Sequence, residues 1–228
     1  MTMRSLALSL MLLLVPSYVL AGGEVVTEEF FVAGNALEYY EPKLGNDLLH
    51  QYGERAFRTD SVTLNIVTGQ GDTVVFSDVM SIDGTCYETI CYLVDYFPEH
   101  DIWVVEQQGY EWVDWLLLNG TTGEYQRAIS EPVLSPDGTR LLCSYRDVIA
   151  AYNFNGVQIW RVGPDSLVPE FNEKNVSWAP SNVAWDGDST VRVNMITVDW
   201  EEWTGTVRPT YIELTPDGQW VPEDPVLW

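Results

Sequence analysis

Basic residues are scarce in this chain. Its 228 residues hold 11 Lys and Arg against 34 Asp and Glu, a formal net charge of −23, and only Lys43 and Lys174 are lysines. Such a surface repels nucleic-acid phosphates and anionic lipid, so neither is an expected partner. The carboxylates are spread along the chain rather than blocked. A solvated acidic surface is therefore the plainer account, and an acidic face for a cationic partner or Ca²⁺ the sharper one. Histidine is nearly absent too. His50 and His100 each lack a second histidine at ligand spacing, which excludes a histidine zinc site. No Gly-x-Ser-x-Gly elbow, phosphate loop or dinucleotide fingerprint occurs, so no cofactor is expected. Asp186-Gly187-Asp188 begins like a calcium loop, but Val191 and Thr197 stand where that loop needs Gly and Glu, and a hairpin turn fits better.

Cysteine is also rare: three residues. Cys86 and Cys91 sit in Cys86-Tyr87-Glu88-Thr89-Ile90-Cys91 and are expected to close a small disulfide loop in an exported chain. A two-thiolate metal site there lacks its other ligands. Cys143 shares a strand face with Leu141 and Tyr145, the setting of a buried thiol.

Long apolar runs are missing after residue 21. Before it, Arg4 supplies a basic start, Leu6 to Val15 an apolar stretch, and Val19-Leu20-Ala21 a cleavage site before Gly22. Residues 1–21 read as a cleaved signal peptide, with no membrane insertion of the remainder and a periplasmic or extracellular address. Loss of Arg4 with that segment takes the charge to −24, since 10 basic residues then face the 34 acids. Residues 22–58 read as an N-terminal strand, Phe30–Ala33, and a short helix, Asn46–Phe57, packing on a main domain at 59–228. Gly53 weakens the helix.

What is abundant is β pattern. Val62–Val67 and Val157–Val162 alternate with period two, and strands are expected at Thr73–Phe76, Tyr92–Phe97, Ile102–Glu106, Trp112–Leu118, Tyr125–Ile129, Val133–Leu134, Arg140–Tyr145, Val183–Trp185, Thr190–Ile196, Val207–Leu214 and Trp220–Val221. Leu134-Ser135-Pro136-Asp137-Gly138 recurs as Leu214-Thr215-Pro216-Asp217-Gly218. In each phrase Pro pre-sets φ for a turn, and Gly supplies the left-handed residue that returns the chain to a strand. Val133–Cys143 also overlays Val183–Val193. No long helical period follows residue 58, so the fold class is all-β.

Glu131–Leu142, with its Pro, short strand, Ser-Pro-Asp-Gly turn and basic strand start, resembles the repeat of TolB-type and WD-repeat-like β-propellers. Leu116–Glu124, with its Thr-Gly-Glu turn, and Gly156–Trp160 resemble the adjoining strands. The good match covers about 112–162, with a fragment at 214–220, and residues 24–110 match poorly. The resemblance implies a small or degenerate propeller of about four or five short blades. A two-sheet β-sandwich is the alternative. The likeness is nearly silent on activity.

The remaining functional signal is aromatic and acidic. Trp112, Asp114 and Trp115, and Trp200, Glu202 and Trp203, place flat rings beside carboxylates, a stock that suits sugar binding or carboxylate-based glycan cleavage. Packing between blades with acids at a solvated rim explains the same residues. On a regular strand Trp112 and Trp115 face opposite sides, so one is expected to be exposed. Asn119-Gly120-Thr121 and Asn175-Val176-Ser177 fit the glycosylation pattern in expected surface turns. The leading expectation is a non-catalytic scaffold that binds a protein partner. A glycan-binding or glycan-active protein, or an acidic inhibitor-like partner of a basic protein, are the alternatives.

Overall fold

The structure is a computed structural model that describes residues 24–26, 46–82, 87–147, 153–174, 177–201 and 204–223. The expected signal peptide and the strand at Phe30–Ala33 lie outside these residues. A short strand β1 (Glu24–Val26) and one helix α1 (Asn46–Gln51) precede sixteen further strands. The first sheet holds β2 (Ala56–Arg58), β3 (Thr63–Val67) and β4 (Thr73–Ser77). The second holds β5 (Val79–Met80), β6 (Tyr87–Phe97), β7 (Ile102–Gln108), β8 (Val113–Asn119) and β9 (Tyr125–Ala128). In the third are β10 (Val133–Leu134), β11 (Arg140–Tyr145), β12 (Gly156–Val162) and β13 (Leu167–Lys174). The fourth contains β14 (Trp178–Trp185), β15 (Thr190–Asp199), β16 (Thr204–Leu214) and β17 (Trp220–Pro222), and β1 joins it along β16. Every pairing is antiparallel, and apart from β1 on β16 neighbours in space are neighbours in sequence. The all-β expectation holds, with four sheets rather than the two of a sandwich.

Three buried clusters pack these sheets in succession. Leu64, Ile66 and Phe76 of the first sheet meet Leu93, Trp103, Val105, Leu116 and Leu118 of the second, under Leu48, Leu49 and Tyr52 of the helical segment. The opposite faces of the same strands, Ile102, Val104, Trp115 and Leu117, meet Leu141, Cys143 and Trp160 of the third sheet. Leu142, Val157 and Ile159 then meet Trp178, Val191, Val193 and Ile212 of the fourth. Because β7 and β8 are covered on both faces, Ile102-Trp103-Val104-Val105 and Trp115-Leu116-Leu117-Leu118 are unbroken apolar runs. The edge strand β4 instead mixes covered and solvated positions.

The helix stops at Gln51, short of the expected Phe57. Tyr52 to Arg55 form turns, and Ala56 and Phe57 are drawn into the first sheet opposite Ile66 and Asn65. A strand not anticipated, β13, carries Pro169. Pro180 lies in β14, which extends the expected Val183–Trp185 back to Trp178 through a bulge between Ser181 and Ala184. Both prolines are on sheet edges. Pro209 falls opposite the gap between β1 and β17 along β16, so none of the three removes a needed ladder donor.

The repeated phrase makes the same turn twice, with the Gly138 and Gly218 amides donating to the Ser135 and Thr215 carbonyls at 2.9 Å and glycine φ values of 72° and 83°. Its two copies are not equivalent in position. The first joins the first and second strands of the third sheet, and the second joins the third and fourth strands of the fourth sheet. The 50-residue overlay does match position: Leu141 and Cys143 face the sheet before their own, and so do Val191 and Val193.

Cys91 corrects one expectation. Its thiol is free and fully buried, so the loop-closing bridge to Cys86 is not formed, and Cys86 itself lies outside the described residues. Tyr87–Cys91 is extended strand, spanning about 13 Å at ~3.3 Å per residue, whereas bridged Cα atoms sit within about 7 Å. Cys143 is a buried core thiol as expected, and burial pushes its pKa up to about 12 despite the contacts with Ser130. Asn119 is likewise not a surface group. It is buried, and its Oδ1 accepts from the Thr121 and Thr122 amides at 2.9 and 2.8 Å. Asn175 lies outside the described residues.

Candidate binding site

Hydrogen bonds between loops define two ends of the stack. At one end the Gly69 amide donates to the Gly120 carbonyl (2.7 Å), Gly120 to Asp101 (2.6 Å), Val162 to Thr139 (2.9 Å) and Leu214 to Ser189 (2.8 Å). This laced end carries the turns β3–β4, β6–β7, β8–β9, β10–β11, β12–β13, β14–β15 and β16–β17. Antiparallel meanders put the intervening loops at the other end. There the Val113 amide donates to Asn153 Oδ1 at 3.0 Å, and Asn155 Nδ2 donates to the Trp178 carbonyl at 2.7 Å.

Two ionic clusters sit at the laced end. Arg55 donates to Asp101 through both terminal nitrogens (2.8 and 3.1 Å), to the Gly120 carbonyl (3.0 Å), to Tyr96 (3.2 Å) and, from Nε, to the Val67 carbonyl (3.3 Å). Its guanidinium lies 5.4 Å from the Trp103 ring centroid, and Tyr96 stacks on Trp103 at 3.8 Å. The cluster ties the first sheet to the second. Gly120 is required by proximity, since a Cβ there would lie 2.2 Å from Asp101 Oδ1 and 2.7 Å from Trp103 Nε1. Burial, then the hydrogen bond to Asp101, pushes the Tyr96 phenol up to about 12, so it stays a donor to Asp101 Oδ1 at 3.0 Å.

The second cluster centres on Glu170, which accepts from Arg140 Nε (2.8 Å), Arg161 Nε (2.9 Å) and Trp220 Nε1 (3.0 Å). Trp220 belongs to the fourth sheet, so the third and fourth are joined here. Burial raises the Glu170 pKa, but the hydrogen bonds from Trp220 and Arg140 and the charges of both arginines outweigh it and hold the group below its ordinary value.

The opposite end is built differently. Arg58 pairs there with Asp78 and donates to the Cys91 carbonyl, Asp114 pairs with Arg127, and neutral side chains bridge several of the loops. Ser130 Oγ accepts from the Ser144 amide (2.9 Å) and Gln158 Oε1 from the Ile129 amide (3.1 Å). Between the third and fourth sheets opens a polar groove of about 380 Å³, lined by Ser144, Tyr145, Arg146, Pro180, Ser181 and Asn182. The bulge of β14 delivers Asn182 in the left-handed region, φ 48°. Burial raises the Tyr145 pKa, and the carboxylates of Asp147 and Glu106 raise it further.

The residues singled out in sequence divide between core and this end. Trp115 is 9% exposed and packs in the second core against Tyr145, whereas Trp112, three residues earlier, is 38% exposed. Asp114 pairs with Arg127 across β8 and β9. Trp200 is 47% exposed on the β15–β16 hairpin, two sheets away from Trp112. Glu202 and Trp203 lie outside the described residues. Tyr110, not singled out in sequence, is the most exposed aromatic among the described residues of this end. The groove residues were missed as well, since a left-handed asparagine beside a proline in an edge strand was their only local sign.

His50 lies on α1 and His100 in the β6–β7 turn of the laced end beside Gly138. Among the described residues no group of three or more His, Cys, Asp or Glu side chains is placed to hold a metal ion, and no helix is long and apolar enough to cross a membrane. No protein-family model, curated protein or solved structure matches the chain.

Proposed function

We propose that this protein is an exported, non-catalytic binding scaffold, a small propeller-like fan of four blades that holds a protein partner at its groove end. Four up-and-down meanders packed in chain order, with β1 added to the last sheet, support the propeller reading, as does the Ser-Pro-Asp-Gly repeat. The apolar segment before Gly22 supports export.

One observation carries the binding reading: Tyr110, Trp112 and Trp200 are exposed at the groove end. Exposed aromatics are disfavoured on a solitary surface and are the usual anchors of interfaces. Glu111, Asp114, Asp199 and Glu201 beside them favour a basic partner by electrostatic steering.

Affinity capture from the native envelope tests this, with wild type and a Trp112→Ala/Trp200→Ala double variant side by side. A partner retained by wild type, released by salt and lost in the variant is the expected result. Identical retention by both chains, or turnover of a glycan or peptide library that one acid-to-amide change abolishes, would overturn the reading. N-terminal sequencing of the secreted chain is expected to begin at Gly22.

A further inference from the structure

The groove between the third and fourth sheets has a chemistry unlike the rest of the molecule. The described residues that line it include one cation, Arg146, and no carboxylate, in a chain where acids outnumber basic residues 34 to 11. The other polar groups are two hydroxyls (Ser144, Ser181), a phenol (Tyr145) and an amide (Asn182). These come from two sheets: β11 and the residue after it supply one wall, and β14 the other.

The backbone supports a built site. Asn182 is one of two non-glycine residues with positive φ among those described, and it lies within the β14 bulge, a device that re-aims a side chain. Its volume of about 380 Å³ falls at the small end of ligand pockets. The walls are mostly polar, which suits a hydroxyl- or amide-bearing body rather than an apolar one.

We propose that this groove binds a small carboxylate carried on a polar body, with the carboxylate on the Arg146 guanidinium and hydrogen bonds to Ser144, Ser181 and Asn182. A planar guanidinium meets a carboxylate through two parallel N–H donors, a fit that lysine lacks. Burial pulls the Arg146 pKa down. Asp147 and Glu106 lie near Tyr145. They set the limit of the site, because a ligand must keep its charge on the Arg146 side and offer neutral groups elsewhere. Two sources share this chemistry: a sugar acid and a peptide C-terminus. The site is independent of the exposed aromatics.

Calorimetric titration of the purified protein with sodium glucuronate, the dipeptide acetyl-Ser-Gly, glucose and acetyl-Ser-Gly-amide tests the proposal. Saturable binding of at least one carboxylate, with its neutral counterpart weaker by about 10-fold or more, is expected from the strength of a bidentate charge-assisted pair. The preferred acid identifies the source. Arg146→Gln should lose about 10- to 100-fold in affinity and Arg146→Lys less. Asn182→Gly relieves the positive φ, so it should melt no lower than wild type yet bind about 3- to 10-fold more weakly. It serves if the arginine variants do not fold. Trp112→Ala/Trp200→Ala should bind the acid as wild type does. Neutral and acidic ligands binding equally, unchanged affinity in folded Arg146→Gln or in Asn182→Gly, or no saturable binding by either acid would overturn the proposal.

Discussion

The two ends of the stack use the same kinds of loop for opposite purposes. At the laced end, turns bond to one another through their backbones, and two arginine–carboxylate clusters are roofed by Trp103 and Trp220. At the groove end, asparagine, glutamine and serine side chains span the loops of the second, third and fourth sheets. Even the two left-handed non-glycine residues divide this way. Asp101 (φ 51°) is held in the Arg55 cluster, whereas Asn182 (φ 48°) lines the groove. The contrast is one of chemistry: ionic clusters tie the first sheet to the second and the third to the fourth at one end, and neutral side chains tie the second to the third and the third to the fourth at the other, where aromatic groups are also exposed. Strain held by several bonds is structural, and strain beside a groove points to recognition.

The largest expected effect is at Trp103, fully buried in the first core. Trp103→Ala should destabilise by about 4 kcal/mol, by cavity formation and loss of the Tyr96 stack, measured by denaturant unfolding. Next comes Arg55→Ala at about 2 kcal/mol, the value for losing a partly exposed, multiply bonded ion pair. Asn153→Ala at the other end should cost no more than about 1 kcal/mol. Equal losses at Arg55 and Asn153 would break the contrast between the ends.

Glu170 sharpens it by pH. Its pKa is lowered on folding, so its stabilisation is present above the ordinary value of 4.5 and is lost as pH falls through the lower folded value. Glu170→Gln should melt below wild type at pH 6–7 by about 1 kcal/mol of stability, with the gap closing below about pH 4.5. A gap constant with pH would mean the carboxylate charge is not what joins the third and fourth sheets. The smallest effect belongs to the exposed rings: Trp112→Ala/Trp200→Ala should change stability by about 0.5 kcal/mol or less while removing the proposed partner contact.

Much of the fold was legible because burial leaves a period. The apolar stretches of β7 and β8 marked strands, and Pro-Asp-Gly marked turns; that both faces of β7 and β8 are covered came from the packing. Strand β13 was not legible, because Pro169 and the polar Glu170, Asn172 and Glu173 look like loop until an edge position and two arginines are supplied. Of the candidate site, the exposure of one of Trp112 and Trp115 was expected from strand parity, and Trp112 is the exposed one, although it lies in the loop before β8. The groove could not, since Ser144–Arg146 and Pro180–Asn182 belong to different sheets and meet only where those sheets pack.

The order of residues alone determined the β-rich class, the turn positions and the acidic surface, because each depends on spacing of at most a few residues or on composition. Which strands share a sheet edge, whether Cys91 is bridged, and how Arg146 and Asn182 come to line one groove were decided by tertiary packing. Those relations join residues far apart in sequence through the burial of whole sheet faces, a free energy that no local window contains.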